Sequence, residues 1–187
     1  PQMLVGNPYY QFNGREAFFI ERKLPKTLPG VKKQREYPKL LCILDTSGSV
    51  GAVDVEYLFA EVHKLYTYGV EVYVLEADTH PQLFWKYEGQ KPYSGGGGTD
   101  FNEPFQWVND VRSGRQTKVM RGSNSAMENV HITFDGVIYL TDGYASTPTV
   151  QPYCKLMWII TPDGDTEAVS KTTYSSIVLQ LPPYDKR

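Results

Sequence analysis

Residues 40–50, LLCILDTSGSV, put one carboxylate and three hydroxyls on a short turn straight after an apolar run. Asp45, Ser47 and Ser49 alternate along that turn, so their side chains can face one point, and Gly48 lets the backbone bend between them. Two more polar clusters occur downstream: GGGGTDF at 95–101, which contributes Thr99, and TDG after the run ending at Leu140, which contributes Asp142. Two separate aspartates with serine and threonine hydroxyls, and neither His nor Cys, form an all-oxygen set. Such a set suits Mg2+ or Mn2+, hard ions that prefer octahedral oxygen and often keep waters.

Rival chemistries fail on residue order. An aspartic protease turn needs glycine immediately after Asp-Thr or Asp-Ser, whereas Ser47 intervenes before Gly48, and TDG has the order wrong. A haloacid-dehalogenase-type phosphatase needs a second Asp two residues after the first, where Ser47 stands. The glycine run lacks the Lys-Ser/Thr of a phosphate loop, so its expected role is freedom for Thr99 to approach a metal. Asp100 could orient a hydroxyl or cap the helix that starts near Asn102. Tyr144, Ser146, Thr147 and His80 fall on the rim by topology and read as solvated loop residues. With no general base inside the motifs, the constellation reads as a binding site and not an enzyme. A metal-dependent hydrolase using the same residues, and a structural or virion component whose site only staples loops together, are the alternatives.

The elements that must position these clusters are legible. The run at 39–45, KLLCILD, is nearly continuous in apolar residues, the mark of a strand covered on both faces and hence of a parallel sheet. Val55, Leu58, Phe59, Val62, Leu65 and Tyr66 follow at helical spacing and stop at Gly69, predicting an amphipathic helix. Residues 70–78 alternate and are valine-rich, predicting a second strand, and QLFWKYE a shorter one. A helix is expected over FNEPFQWVNDVR, with Pro104 in its first turn. GVIYLTD and KLMWIIT predict two more buried strands with an irregular connection between them, and SSIVLQLP an edge strand. Trp85, Trp107 and Trp158 lie in apolar runs and are expected in the core. The order is that of an α/β, doubly wound, mostly parallel open sheet flanked by helices, which binds ligands at the carboxyl ends of its strands. The domain proper is placed at 39–187, after a basic, Pro-rich and irregular extension at 1–38, with a polar insertion at about 113–130.

In this context the sequence resembles a von Willebrand factor A (VWA) domain carrying a metal ion-dependent adhesion site (MIDAS). That family's D-x-S-x-S, later Thr and later Asp correspond to Asp45, Ser47, Ser49, Thr99 and Asp142. The resemblance implies that Ser47 and Ser49 ligate Mg2+ directly, with Mn2+ or Ca2+ as substitutes. It implies that Thr99 binds directly or through water, that Asp45 and Asp142 act mainly through water, and that a partner's Asp or Glu completes the shell. A narrower likeness, over roughly residues 22–161, is to bacterial VWA-like domains of putative metallopeptidase-type proteins, often encoded beside a MoxR-type AAA+ ATPase. It rests on LPGVKKQREYPKLLCILDTSGSV, GGGGTDFNEPF, YLTDGYASTP and LMWIIT, and it implies an adaptor role for such an ATPase. That group carries an upstream metallopeptidase-like region. This sequence has no H-E-x-x-H, its three histidines, His63, His80 and His131, being isolated.

Composition narrows the function classes. The 187 residues are 41% apolar and 13% aromatic, ample for one packed domain. Cys42 and Cys154 have no C-x-x-C partner and read as buried thiols. The net charge of -2 is uneven: seven basic and three acidic residues give 1–36 a charge of +4, leaving -6 for the rest. The basic segment reads as a solvated linker, and the remainder is too acidic for a nucleic-acid surface. No apolar run reaches the length of a membrane span and the start lacks a signal core, so a cytoplasmic protein is expected.

Overall fold

The computed structural model describes residues 38–91, 96–115, 130 and 132–184 in full, together with the backbone of short strands elsewhere. The chain divides into two units, Pro1–Glu36 and Tyr37–Arg187. In the first, β1 (Met3–Leu4) pairs with β4 (Phe19–Ile20), and β2 (Tyr10–Phe12) pairs with β3 (Arg15–Glu16) and β5 (Val31–Lys32), all antiparallel. The extension expected to be irregular thus contains short strand pairings.

The second unit is an eight-stranded sheet with helices on both faces. Its strands are β6 (Lys39–Asp45), β7 (Glu71–Ala77), β8 (Pro81–Lys86), β9 (Lys118–Arg121), β10 (Met127–Asn129), β11 (Gly136–Thr141), β12 (Lys155–Ile160) and β13 (Ile177–Gln180). Their spatial order is β10-β9-β8-β7-β6-β11-β12-β13. Only the β9–β10 and β7–β8 pairs are antiparallel, so the doubly wound, mostly parallel α/β architecture is as expected. The polar stretch read as an insertion differs: within 113–130 lies the β9–β10 hairpin, with β9 pairing parallel to β8. The rest of that stretch, 116–117 and 122–126, is outside the described residues.

Side-chain alternation along β6 assigns the two faces. Leu41 and Ile43 enter a core with Phe105, Trp107, Val108 and Val111 of α2 (Asn102–Ser113). Cys42 and Leu44 enter the opposite core with Leu58, Phe59 and Val62 of α1 (Ala52–Thr67). All four are fully buried, which is why β6 shows no polar alternation. At the start of α1 the Asp54 carboxylate accepts the Gly51 N–H at 3.0 Å, and α2 ends on Gly114 in the left-handed region. A third, short helix, α3 (Glu167–Ser170), was not expected and buries Ala168 and Val169.

The connection from β11 to β12 has no helix, and α2 satisfies its backbone instead. Asn102 Oδ1 accepts the N–H groups of Thr149 (2.8 Å) and Val150 (2.9 Å). Asn109 Oδ1 accepts Tyr153 N–H at 2.9 Å, and its amide donates to the Gln151 carbonyl at 2.9 Å. Those bonds fix the loop that leaves Asp142. At the far edge β13 leaves Ile177, Val178 and Leu179 exposed, as an edge strand does. The three tryptophans are buried, but Cys154 is only half-buried because it precedes β12 in the irregular connection. Among the described residues no helix is long and apolar enough to cross a membrane.

Candidate metal centre

The chain leaves β6 towards β7 on one side, through α1, and returns at β11 on the other side of β6. The crevice between the carboxyl ends of β6 and β11 is therefore the point where strand order reverses, the usual ligand position in open α/β sheets. Asp45 closes β6 and Asp142 follows β11, and both are buried, as is Ser47.

Register brings the two aspartates together. Leu44 sits opposite Leu140, and one step further Thr141 Oγ1 donates to Asp45 Oδ2 at 2.5 Å. The Ser47 N–H donates to Asp45 Oδ1 at 2.9 Å, and the Ser47 and Ser49 hydroxyl oxygens lie 3.2 Å apart. Both serine hydroxyls therefore converge beside Asp45, with Ser49 on the exposed side of the turn. Asp142 accepts the Tyr144 N–H through Oδ1 at 3.1 Å, while its Oδ2 is buried and has no hydrogen-bond partner among the described residues.

Thr99 arrives by a different route. Gly48 N–H donates to the Gly97 carbonyl and Gly96 N–H to the Thr46 carbonyl, both at 2.8 Å, which docks the glycine loop along the Asp45–Ser49 turn. Thr99 is half-buried beside this seam, and among the described residues its hydroxyl makes no hydrogen bond. The structure thus gathers Ser47 and Ser49 at Asp45 and puts Asp142 close enough for its charge to act on Asp45, while Thr99 follows two residues after the Gly97 contact on the docked loop.

Two glycine roles differ from expectation. Gly48 is not in the left-handed region, and a Cβ there would stand in ordinary contact, 3.6 Å from the Gly97 carbonyl oxygen. Gly97 is the tighter of the two: a Cβ would fall 2.3 Å from Asp78 Oδ2. Close packing of the loop on Asp78 is thus a reason for glycine there that the sequence alone does not show.

Burial pushes the Asp45 carboxyl above the ordinary carboxylate range, and the neighbouring charge of Asp142 pushes it further. Hydrogen bonds from Ser47 and Thr141 oppose that rise without cancelling it. A cation between the two carboxylates would reverse the balance.

Comparison with family models, curated proteins and solved structures yields no match.

The donor set fits a hard cation on its own terms. Asp142 Oδ2 is a buried oxygen, unpartnered among the described residues, and a group of that kind is costly unless something positive meets it. The remaining donors are hydroxyls. Among the described residues no group of three or more His, Cys, Asp and Glu side chains converges on a possible metal position, so any ion here would be held by two carboxylates and neutral oxygens. That mixture favours Mg2+ or Mn2+ over softer metals.

Thr141 is a site residue that the sequence reading passed over. Its hydroxyl donates to Asp45 and accepts the Gly143 N–H at 2.9 Å, linking the β6 and β11 ends. A threonine directly before the strand-terminal aspartate was the available signal. Asp100, one residue before the N-cap Phe101, accepts the Asn102 N–H through Oδ1 at 2.8 Å at the start of α2. His80 is exposed, and His131 lies outside the described residues.

Proposed function

We propose that this chain is a metal-dependent protein-binding module. Asp45, Ser47, Ser49, Thr99 and Asp142 would hold Mg2+, with Mn2+ or Ca2+ as substitutes, and the ion would accept a carboxylate from a partner protein. The observation that carries this reading is the buried Oδ2 of Asp142, unpartnered among the described residues, at the strand-order reversal where the Asp142 charge acts on Asp45 and the Ser47 and Ser49 hydroxyls lie together beside it. A bound ion would supply Lewis acidity, and direct coordination by neutral hydroxyls would leave it electrophilic towards an incoming carboxylate. Ser47 and Ser49 would hold the ion, Asp45 and Thr141 would orient the site through their hydrogen bond, and the partner's oxygen would arrive on the exposed side, at Ser49. The resemblance to VWA domains with a MIDAS supports the same assignment and points to a MoxR-type AAA+ ATPase as the partner class, with this chain as its adaptor.

Titration calorimetry of the purified chain with MgCl2 tests the site. Binding should appear in the native chain and vanish in Ser47→Ala with the fold intact by circular dichroism. Undiminished Mg2+ affinity in that variant would remove the basis of the proposal. Capture of the candidate ATPase should be lost in EDTA, and metal-independent capture would exclude the adaptor mechanism.

A further inference from the structure

Charge is of one sign along the part of the sheet's carboxyl edge formed by the ends of β6, β7, β11 and β12 and by the docked glycine loop. The described loops that form it, residues 45–51, 78–80, 96–101, 142–149 and 161–166, contain Asp45, Asp78, Asp100, Asp142, Asp163 and Asp165 and no Lys or Arg. None of these aspartates takes part in an ion pair among the described residues. Beneath them, ionisation of the buried Tyr139 hydroxyl is opposed first by burial and then by Asp45, Asp100 and Asp78, so their fields add at one place. Asp142 is 5% exposed, and its Oδ2, unpartnered among the described residues, is the oxygen that a cation entering this cluster would meet. One divalent ion offsets two of six negative charges. A carboxylate presented on a neutral or acidic surface would then approach against the remaining field.

Tyr144 adds a recognition feature. Its side chain is 58% exposed beside Asp142, and its hydroxyl donates to the Asp163 carbonyl at 3.1 Å, which fixes the ring against the 161–166 loop. The exposed Asp163 carboxylate makes no hydrogen bond or ion pair among the described residues. An exposed, anchored aromatic face next to a free carboxylate is a receptor for guanidinium or ammonium, by cation–π contact and ion pairing together.

We propose, resting on the metal-binding reading above, that the partner presents a single acidic side chain flanked by arginine or lysine. The carboxylate meets the metal, and a basic neighbour lies over Tyr144 and pairs with Asp163. The flanking charges speed association and choose the partner, while the metal supplies the anchor.

The test uses the full chain in MgCl2 with short fluorescent peptides: one Glu flanked by arginines, the same Glu flanked by serines, and the arginine peptide with Glu replaced by Gln. The arginine-flanked Glu peptide should bind about tenfold tighter than its serine counterpart, and high salt should shrink that gap. Binding should be lost in EDTA and in the Gln peptide. The double variant Tyr144→Ala/Asp163→Asn should erase most of the gap while leaving Mg2+ affinity unchanged. Equal, EDTA-sensitive binding of both Glu peptides would overturn the basic-flank proposal and leave the metal reading standing. Undiminished binding of the Gln peptide in EDTA would overturn the metal reading, and with it the claim that an acidic side chain anchors the partner. Failure of the arginine-flanked Glu peptide to bind at all would overturn the proposal outright.

Discussion

Asp45→Asn separates the two things the Asp45 carboxylate does. In the native chain it accepts the Ser47 N–H and the Thr141 hydroxyl, and it is fully buried beside Asp142. Asparagine keeps one acceptor for Ser47, but its amide nitrogen faces Thr141 Oγ1, which already accepts the Gly143 N–H. Reorganising that bond costs about 1 kcal/mol, and removing a buried charge next to Asp142 offsets it, so metal-free stability should change little. Metal response should change fully. An ion that binds only the folded chain contributes about 2.7 kcal/mol at a hundredfold excess over its Kd, which for a domain of this size raises Tm by about 5–11 °C. Scanning calorimetry with saturating MgCl2 or EDTA should show that rise in the native chain and none in Asp45→Asn. The pH dependence carries a second signature. Folding raises the Asp45 pKa above its ordinary 3.8, so the folded state holds that proton more tightly than the unfolded state does. Metal-free stability of the native chain relative to Asp45→Asn should therefore be highest below that value. It should fall as pH rises through the raised folded value, and stay constant above it. A full Mg2+ response in Asp45→Asn, or none in the native chain, would refute the reasoning.

Three further outcomes follow from buried groups. Tyr139 is fully buried with an unpartnered hydroxyl, so Tyr139→Phe should stabilise the chain by about 1 kcal/mol in urea denaturation. Gly143 has φ 82°, and a Cβ there would fall 1.8 Å from the Asp165 carbonyl oxygen, so Gly143→Ala should cost about 2–5 kcal/mol by the same assay. Burial pushes the Cys42 thiol up to about 12 and the Cys154 thiol up to about 11, so a thiolate-specific reagent at pH 8 should label neither appreciably until denaturant is added.

What the sequence disclosed depended on how each residue's role is encoded. Leu41, Cys42, Ile43 and Leu44 announce a strand between two helical layers because both faces are buried, and no register error can hide an uninterrupted apolar run. The α1 face is equally plain in Leu58, Phe59 and Val62. The β9–β10 hairpin was missed because Lys118–Arg121 and Met127–Asn129 are short segments without clean alternation, near one edge of the sheet, whose pairing comes from neighbouring backbone and not from side-chain pattern. Asp45, Ser47 and Ser49 could be grouped from their local spacing alone. The close fit at Gly97 could not, since it arises from Asp78, a residue remote in sequence that packs against the loop. Thr141 escaped for the same reason: its hydroxyl acquires a role only when β11 lies beside β6.

That last dependence ties the site to the middle of the sheet. Asp45 and Thr141 are 96 residues apart and meet because Leu40–Leu44 pair in parallel with Gly136–Leu140. A slip of one residue would turn Tyr139 out of one core and Leu140 out of the other, exchanging the faces of every side chain on β11. The same slip would turn the Thr141 hydroxyl away from Asp45. Packing of Phe101, Phe105 and Trp158 around Tyr139 therefore does more than stabilise the fold, because it fixes the register on which the Asp45–Thr141 contact depends. A site assembled by the most buried strands of the sheet should keep its geometry while the loops around it vary.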